Sequence, residues 1–381
     1  MSTVNIMKKI KTDFLIVGSG FYGSVIAERI SSVLNKKVLI LEKRDHIGGN
    51  CYSEYDKSTN IEYHKYGSHI FHTSNKHVWD YINKFTSFNS YKHQVLSNYK
   101  NKIYQMPINL ETINSFFKKN FSPLEAQRYF LSITKKYKKK EYDNFEDKAL
   151  SQIGTKMYEA FIKNYTEKQW NTKPRNLPPS IFNRLPLRFN YNEDYFNNCI
   201  WQGIPKDGYT EVFKRLIDSK NINLRYEKFD LKNNYDVKYL TIYTGPLDRL
   251  FKYKLGKLKW RSLSFKKKIV NINDFQGTAV INFPEKKFKF TRIHEPKHLH
   301  SERKYNIKKS LIIYEYPKTS INEPYYPVND KINRTLHRNY KEMAAKIQKF
   351  ETGGRLADYA YYDMDMTISA ALKKFEKIKK I

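Results

Sequence analysis

The stretch TDFLIVGSGFYGS, residues 12–24, is the strongest indication of the fold in this sequence. Its first six residues include the unbroken apolar run FLIV at 14–17, which is typical of a short strand buried on both faces of a parallel sheet. Gly18 and Gly20 interrupt the run, and apolar residues at helical spacing then predict a helix over residues 21–34. A second buried strand is predicted at residues 37–41. Strand, glycine turn, helix and strand form a βαβ unit, so we expect a Rossmann-like α/β domain.

The glycines of this turn, Gly18, Gly20 and Gly23, have the GxGxxG spacing of a dinucleotide-binding site. In that motif the first glycine permits a tight turn, the second lets the backbone approach a pyrophosphate, and the third allows helix and strand to pack closely. The helix N-terminus offers N–H groups to the phosphates. Glu42 ends the second predicted strand, where a carboxylate accepts hydrogen bonds from a ribose diol. We therefore predict dinucleotide binding rather than a turn that serves packing alone.

Two further glycine pairs favour FAD over NAD. The segment EKRDHIGGN, residues 42–50, places one pair shortly after the ribose-binding acid, and it resembles the FAD-binding signature of the amine-oxidase-like flavoproteins. Near the other end of the chain, Gly353 and Gly354 precede Arg355 and a helical segment. Such a pair can place backbone N–H groups over a phosphate or a flavin oxygen.

The middle of the chain is predicted to be helical. Residues 76–92 and 110–165 have largely helical patterns, and Ser122 is a predicted N-cap that a proline and an early acid follow. A further helix is expected to begin near Asn144. Its apolar stripe, which we interpret as core rather than as a binding face, consists of Ala149, Ile153, Met157 and Phe161.

The second half changes from an irregular, proline-rich segment at 174–205 to short strands, and then to helices at 331–350 and from about 364. The predicted strands are 224–226, 239–243, 278–283 and 310–316. Because one βαβ unit cannot complete a sheet, later segments must return to the first domain. We expect this of residues 208–217, 239–245 and 355–378.

The expected architecture is therefore α/β, with a Rossmann-like FAD-binding domain, an inserted helical domain and an antiparallel β-sheet domain. The FAD-binding domain is expected to be discontinuous, and the helical domain to serve as a substrate or lid domain. The expected boundaries are 1–78, 206–250 and 330–381 for the FAD-binding domain, 79–172 for the helical domain, and 173–205 with 251–329 for the sheet domain.

The chain is strongly basic. Its 381 residues include 70 Lys and Arg against 38 Asp and Glu, a formal charge of +32. The lysines are spread in short runs, without zinc-ligand spacing, an aromatic–basic RNA-binding motif or a basic helix leading into heptads. We interpret them as a solvated surface and expect no nucleic-acid partner. A positive field could also attract a nucleotide diphosphate or an anionic membrane surface.

Cysteine usage and hydropathy indicate the compartment. Cys51 and Cys199 are too few for a disulfide framework, which favours a reducing environment. No apolar run approaches the roughly 18 residues that a membrane-spanning helix needs. We expect a cytoplasmic protein without a transmembrane segment, and peripheral contact with the inner membrane surface remains an alternative.

Four segments carry a resemblance to a known family that runs from about residue 12 to 372. They are KYGSHIFHT at 65–73, YTEKQW at 165–170, EPYYPVND at 323–330 and GGRLADY at 353–359. In this order they resemble the bacterial-type UDP-galactopyranose mutases.

The resemblance implies an isomerase that interconverts UDP-galactopyranose and UDP-galactofuranose for cell-surface polysaccharide biosynthesis. The family uses FAD in its reduced form without net redox change, and the flavin N5 attacks the anomeric carbon while UDP departs. The resemblance also implies an external reductant such as NAD(P)H, and a homodimer. It does not name the glycan that uses the product.

Substrate-binding residues are carried over from the same resemblance. Arg188 and Arg292 match the family's diphosphate-binding arginines, and Arg188 lies in a stretch that the family uses as a mobile lid. Guanidinium groups suit a departing diphosphate because they stay charged and donate in pairs. These two arginines and His69 form the implied catalytic set. The other implied substrate contacts are Tyr165, Trp170, Tyr195, Tyr326, Tyr361 and Asp363.

The flavin contacts follow from the glycine motifs and the resemblance together. His69 matches a histidine beside the flavin, where an imidazole could tune the reduced ring or relay a proton. Arg355 matches an arginine whose charge would favour the anionic reduced flavin. The expected cofactor contacts are Gly18, Gly20, Phe21, Gly23, Glu42, Lys43, Gly49, Asn50, His69, Arg355, Asp363 and Met364. No metal site is expected.

The chain departs from the family pattern around the lid. Two of the family's usual glycines are replaced around the Tyr165 block, and an Arg-Tyr pair is replaced before Gln202. These changes leave the flavin chemistry as expected and bear on rate, lid closure and sugar specificity. The departing residues are Asn164, Asn171, Thr172, Ile200, Trp201, Lys206 and Asp207.

Two other hypotheses stay open at this point. A different FAD-dependent oxidoreductase of the amine-oxidase-like class would turn over with oxygen or another acceptor, whereas a mutase does not consume its reductant stoichiometrically. A non-catalytic basic binding protein on the same fold would bind nucleic acid with a steep salt dependence and would hold no flavin.

Overall fold

A computed structural model describes residues 10–184, 187–196, 199–233, 235–305, 308–319 and 323–380. The strands in chain order are β1 (Ile10–Val17), β2 (Val38–Glu42), β3 (Ser53–Tyr55), β4 (Glu62–His64), β5 (Phe71–Thr73), β6 (Val95–Tyr99), β7 (Lys102–Met106), β8 (Trp201–Gly203), β9 (Ile222–Tyr226), β10 (Tyr235–Tyr243), β11 (Trp260–Val270), β12 (Val280–Asn282), β13 (Arg292–His294), β14 (Ser310–Lys318), β15 (Tyr326–Pro327) and β16 (Phe350–Thr352). The helices are α1 (Phe21–Leu34), α2 (Lys76–Ile82), α3 (Leu110–Phe117), α4 (Pro123–Thr134), α5 (Phe145–Met157), α6 (Asn164–Trp170), α7 (Tyr209–Ile217), α8 (Leu247–Leu250), α9 (Lys331–Ala345) and α10 (Met364–Ile378).

A five-stranded parallel sheet forms the first layer, in the order β16-β10-β1-β2-β9. Its central strand β1 is apolar on both faces. Phe14 and Ile16 belong to the core that also contains side chains of α1, α7 and α10, whereas Leu15 packs with Leu39 and Leu41 on the opposite face. The continuous apolar run therefore reflects a strand that is covered on both sides.

Distant segments complete this layer. Strand β10 pairs in parallel with β1 along most of its length, and β9 pairs with β2. Helices α7 and α10 pack against α1. The first helix spans residues 21–34, as predicted, and it begins directly after the glycine turn.

A second, seven-stranded sheet has the order β15-β11-β14-β13-β12-β6-β7. Its pairs are antiparallel except for β12 with β6, which run in the same direction. The α/β class, with a Rossmann-like sheet and a second, mainly antiparallel sheet, is thus confirmed.

The helices α3 to α6 form a separate apolar core. Helix α5 starts after Asn144, whose side chain caps it, and it continues into a π-helical turn at Tyr158–Lys163. The four residues predicted as its core stripe are all buried. None of the helices in the described part of the chain is both long and apolar enough to serve as a membrane span.

Two predicted helices were too long. The helix expected at 76–92 ends at Ile82. Further along, Asn89 bonds to distant segments instead of to a helix. Its backbone N–H donates to the carbonyl of Ile204 at 2.9 Å, and its side-chain Nδ2 donates to the carbonyl of Leu299 at 2.9 Å. The helix expected at 331–350 ends at Ala345. The chain then turns, and residues 350–352 form the edge strand β16 beside β10.

The first turn of α4 contains a capping box whose contribution to local stability can be tested. The Ser122 hydroxyl accepts from the N–H of Glu125, and the Glu125 carboxylate accepts from the N–H of Ser122 at 2.8 Å, which forms a capping box. Ser122→Ala should make amide hydrogen exchange in this turn about fivefold faster, the size expected for a lost N-cap. Ser132→Ala, in the exposed last turns of the same helix, is the control. Equal exchange in both variants would show that the box contributes nothing.

Candidate active site

A cavity of about 1080 Å³ lies where the two large sheets meet. Its lining includes the carboxyl ends of β1, β2 and β10, which is the edge where ligands bind in open parallel sheets. Strands β13 and β14 and residues 324–326 contribute the opposite wall. A cavity of this size can hold more than one drug-sized group.

The glycine turn forms a cradle at one end of the cavity. A Cβ atom on Gly23 would lie 2.0 Å from the carbonyl oxygen of Gly18, so only glycine permits the packing of α1 on β1. At Gly20, by contrast, a Cβ would meet no heavy atom of the described residues within 4 Å, and it would project into the cavity that Gly20 lines. The backbone there is open to a ligand, and it leads into the N-terminus of α1. These residues fit a dinucleotide pyrophosphate.

Glu42 is buried and held by the same turn. One carboxylate oxygen accepts from the N–H and the hydroxyl of Ser19, at 2.9 and 2.7 Å, and the other accepts from the N–H of Arg44 at 2.9 Å. A carboxylate has about four acceptor positions, so one more donor can still be bound. Lys43 also lines the cavity, and burial lowers the pKa of its ammonium. Asn50 accepts from Arg44 at 3.0 Å.

His69 lines the cavity as a neutral imidazole. Its Nδ1 lies 2.6 Å from the carbonyl oxygen of Gly67, which can only accept, so Nδ1 carries the proton and Nε2 is an acceptor. Burial and the nearby charge of Arg355 lower the pKa of His69 to about 4. Its backbone N–H donates to Nδ1 of His64 at 2.9 Å, which fixes the turn. His69 is therefore placed to accept a hydrogen bond at Nε2 and not to supply a fixed positive charge.

Arg292 begins β13 and carries a charge in the opposite wall. Its Nε donates to the Tyr165 hydroxyl at 2.8 Å, and its Nη1 lies 3.8 Å from the carboxylate of Glu315, which is 2% exposed. Although burial opposes the charge, Tyr165 and Glu315 hold the pKa of Arg292 above its ordinary value. Although burial alone would raise it, Arg292 and His294 hold the pKa of Glu315 at about 2. Both groups are therefore ionised at neutral pH.

The same carboxylate anchors a second chain of contacts. Glu315 lies 3.1 Å from Nε2 of His294, and Nδ1 of that histidine lies 2.8 Å from the Ser68 hydroxyl. Ser68 directly precedes His69 in the turn after β4. Glu315 thus connects the wall that carries Arg292 to the turn that carries His69.

A group of aromatic rings lies beside the charged side chains of the cavity. Tyr326 and Tyr361 stack with centroids 5.3 Å apart and an interplanar angle of 9°. The ring of Trp170 lies 6.5 Å from that of Tyr326. The guanidinium of Arg355 lies 4.5 Å from the Tyr361 centroid. A wall of this kind can stack a base or a sugar face.

Arg355 and the start of α10 also line the cavity. Arg355 donates to the carbonyl of Tyr325 at 2.8 Å and to that of Tyr362, so its guanidinium is fixed between two segments. Asp363 is the N-cap residue of α10, and both it and Met364 line the cavity.

The segment that follows the expected lid stretch reaches the cavity through Tyr195 and Phe196. Phe196 stacks on His72 with centroids 3.7 Å apart. Arg188 points elsewhere: its Nη1 donates to the carbonyl of Asp194 at 2.6 Å and to the side chain of Asn192 at 3.1 Å.

Most of the expected site residues lie together. The cavity is lined by Gly18, Gly20, Phe21, Gly23, Glu42, Lys43, Gly49, Asn50, His69, Tyr195, Arg292, Tyr326, Arg355, Tyr361, Asp363 and Met364. Tyr165 and Trp170 stand behind this lining and contact it through Arg292 and Tyr326. Arg188 is held by its own loop and lies outside the lining.

Sequence reasoning missed Ser68, His294 and Glu315 as site residues. Their spacing gives no local pattern, because the three belong to the turn after β4, to β13 and to β14. One signal was present: Glu315 interrupts the apolar strand LIIYEY, and a buried acid in such a strand needs a specific partner.

The departures from the family pattern lie away from this lining. Asn171 ends α6 with a φ of 50°, and asparagine is one of the few residues besides glycine that adopts this conformation readily. Trp201 stacks on Trp79 with centroids 5.8 Å apart. Asp207 pairs with Arg215 at 2.5 Å on the surface.

The fold and cavity define a class: a protein with a Rossmann-like dinucleotide-binding sheet whose ligand edge opens onto a charged, aromatic pocket of a second sheet. A family profile described as NAD(P)-binding Rossmann-like domain matches residues 16–85, and one described as UDP-galactopyranose mutase matches residues 160–361. The chain belongs to the UDP-galactopyranose mutase family.

Curated relatives cover nearly the whole chain. It is 39% identical to a probable UDP-galactopyranose mutase of Klebsiella pneumoniae, over 95% of this chain and 93% of that protein. It is 37% identical to the dTDP-fucopyranose mutase of Escherichia coli, over 94% and 96%. It is 34% identical to the UDP-galactopyranose mutase of Mycoplasma genitalium, over 96% and 94%.

Solved structures share the fold at low identity. A crystal structure of reduced UDP-galactopyranose mutase superposes with a TM-score of 0.75 at 14% identity, covering 97% of this chain and 94% of that chain. A putrescine oxidase variant gives a TM-score of 0.58 at 10% identity, covering 98% of this chain and 100% of that chain. The shared architecture therefore extends to oxidases.

We expect opposite effects from alanine substitutions at two glycines of the cradle. Gly20→Ala places a methyl group in the cavity without a clash. The variant should therefore purify with far less bound dinucleotide, and its cofactor-free form should melt at the same temperature as cofactor-free wild type. Gly23→Ala forces its methyl onto a backbone carbonyl and should instead reduce soluble, folded protein. Thermal melting and cofactor content of the two variants measure this. Full cofactor occupancy in Gly20→Ala would contradict the assignment of the cradle.

Proposed function

We propose that this protein interconverts UDP-galactopyranose and UDP-galactofuranose with FAD in its reduced form. The observation that carries the proposal is the ionised guanidinium of Arg292, fixed by Tyr165 and Glu315, in the same cavity as the glycine cradle. One edge of the cavity suits a dinucleotide, and the other presents a permanent cation to an anionic leaving group.

The cradle residues, with Glu42 and Arg355, would hold the FAD. When bound, a reduced flavin supplies an electron pair that displaces UDP from the anomeric carbon, without net redox change. Arg355 is held rigidly by two backbone carbonyls, so its positive charge would favour an anionic flavin. His69 would offer its Nε2 as an acceptor to a proton-carrying atom of the flavin or sugar.

The substrate diphosphate would lie against Arg292, with Tyr326 and Tyr361 beside it and Trp170 towards the uridine or sugar. Arg188 would contact the same diphosphate after a movement of the loop in which its Nη1 now bonds to residues 192 and 194. We assign this movement to the stretch that contains Arg188, which the resemblance implies is a mobile lid. Within the range 79–172, expected to be a helical domain, strands β6 and β7 belong to the second sheet. The helices α3 to α6 of that range would act as the substrate or lid domain.

Other parts of the proposal concern the setting of the enzyme. An external reductant such as NAD(P)H would generate the active flavin, the protein would work in the cytoplasm, and it would form a homodimer. The same chemistry could act on another nucleotide-activated sugar, because the Escherichia coli relative is named a dTDP-fucopyranose mutase and is 37% identical. That protein supplies the second candidate substrate, a dTDP-linked 6-deoxy sugar.

The decisive experiment measures conversion by the flavin-loaded protein. Dithionite-reduced protein should convert UDP-galactofuranose to UDP-galactopyranose, and the oxidised protein should not. dTDP-fucofuranose, assayed in parallel, decides between the two sugars. Consumption of oxygen or of reductant in proportion to product would favour an oxidoreductase instead. A folded, fully reduced sample that converts neither sugar would refute the proposal.

The two arginines give a quantitative prediction. Arg292→Ala and Arg188→Ala should each lower kcat/KM by about 100-fold or more, because each removes a charged donor to the departing diphosphate. Arg334→Ala, on the exposed face of α9, is the matched control and should behave as wild type. Steady-state kinetics with equal flavin content test this. Wild-type rates from Arg188→Ala would show that the lid arginine never reaches the substrate.

A further inference from the structure

Lys168 occupies a cage of backbone carbonyls next to the site. It lies on α6, and its ammonium contacts the loop that joins β12 to β13. The Nζ atom lies 2.5 Å from the carbonyl oxygen of Phe283, 3.1 Å from that of Glu285, 3.2 Å from that of Phe288 and 3.0 Å from that of Phe290.

The loop is built to surround a cation. Phe283, Phe288 and Phe290 pack against one another with centroids 5.0 to 5.3 Å apart, and their carbonyls converge on Lys168. Four converging carbonyl dipoles repel one another unless a positive charge lies between them. An ammonium donates three hydrogens, whereas a neutral amine donates two and presents a lone pair, so the cage fits the charged form. Carbonyl oxygens in such rings also bind K⁺.

The cage connects two substrate-binding elements. Phe290 lies two residues before Arg292, so the loop sets where β13 and its guanidinium begin. Tyr165 lies three residues before Lys168 on the same helix, and it accepts from Arg292 at 2.8 Å. The contact between Lys168 and the loop therefore links α6 to the segment that precedes β13.

A neighbouring ion pair offers a comparison. Lys286, on the same loop, lies 2.9 Å from Glu167 on α6, but the Lys286 side chain is 66% exposed. Exposed pairs contribute little to stability because solvent screens them. Lys168 makes its contacts beside three packed aromatic rings, where each carbonyl that loses its partner is costly.

We propose that Lys168 is a positioning residue of the substrate site, and that its cage accepts a free monovalent cation when the side chain is shortened. The ammonium joins the loop 283–290 to α6 and so sets Arg292 against Tyr165. This inference rests on the proposed function, since it deepens the assignment of Arg292 as the diphosphate anchor.

The test compares Lys168→Ala with Lys168→Met in the flavin-loaded protein, with Lys286→Ala as the matched control. Lys168→Ala should weaken UDP binding about tenfold or more and speed amide exchange in the loop 283–290. Ammonium chloride should partly restore both, relative to choline chloride at equal ionic strength. Lys168→Met fills the cage with an apolar chain, so it should show the loss without the recovery. Lys286→Ala should resemble wild type.

Two results would overturn the proposal. One is wild-type UDP affinity and loop exchange in Lys168→Ala. The other is a loss in Lys168→Ala that ammonium does not change and that equals the loss in Lys168→Met. A wild-type protein that binds UDP without isomerising any sugar would refute the proposed function alone, because UDP affinity and loop exchange still decide the role of Lys168.

Discussion

A buried carboxylate that must be paired is the constraint on which the site depends. Glu315 lies in an apolar strand, where an isolated charge would be costly, and it is satisfied by Arg292, His294 and Thr291. Removing one partner from such a pair leaves an uncompensated charge, so the arginine is retained in its ionised form and in one place. The cavity wall therefore presents a fixed cation, ready to meet an anion.

The second feature is the meeting of two sheets at one cavity. The parallel sheet brings its carboxyl edge, with the glycine turn and Glu42, and the second sheet brings the guanidinium. The chain crosses between the layers several times: β1 and β2 lie in the first, β6 and β7 in the second, and β9 and β10 return. The proposed cofactor-binding and substrate-binding groups are distant in sequence but line one cavity. The proposed chemistry between a flavin and a sugar requires this proximity.

The sequence predicts secondary structure well where contacts between neighbouring residues determine it. The first strand, the glycine turn and the helix 21–34 depend on contacts within about thirty residues, and the sequence pattern predicts them closely. The helix predicted at 331–350 was too long because Phe350 pairs and packs beside β10, a partner about a hundred residues away. The roles of Glu315 and Lys168 could not be predicted for the same reason, because their partners come from a paired strand and from a hairpin loop. Arg188 shows a further limit, because a motif match cannot say which way a loop side chain points.

The proposed function requires that one cavity hold both the flavin and the nucleotide diphosphate. The most direct measurement titrates UDP into the flavin-loaded protein while the visible absorption of the flavin is recorded. This shared cavity predicts a saturable change of the flavin spectrum that ends at one UDP per flavin. It would be contradicted by calorimetric UDP binding that leaves the flavin spectrum unchanged, or by a folded protein that takes up no flavin.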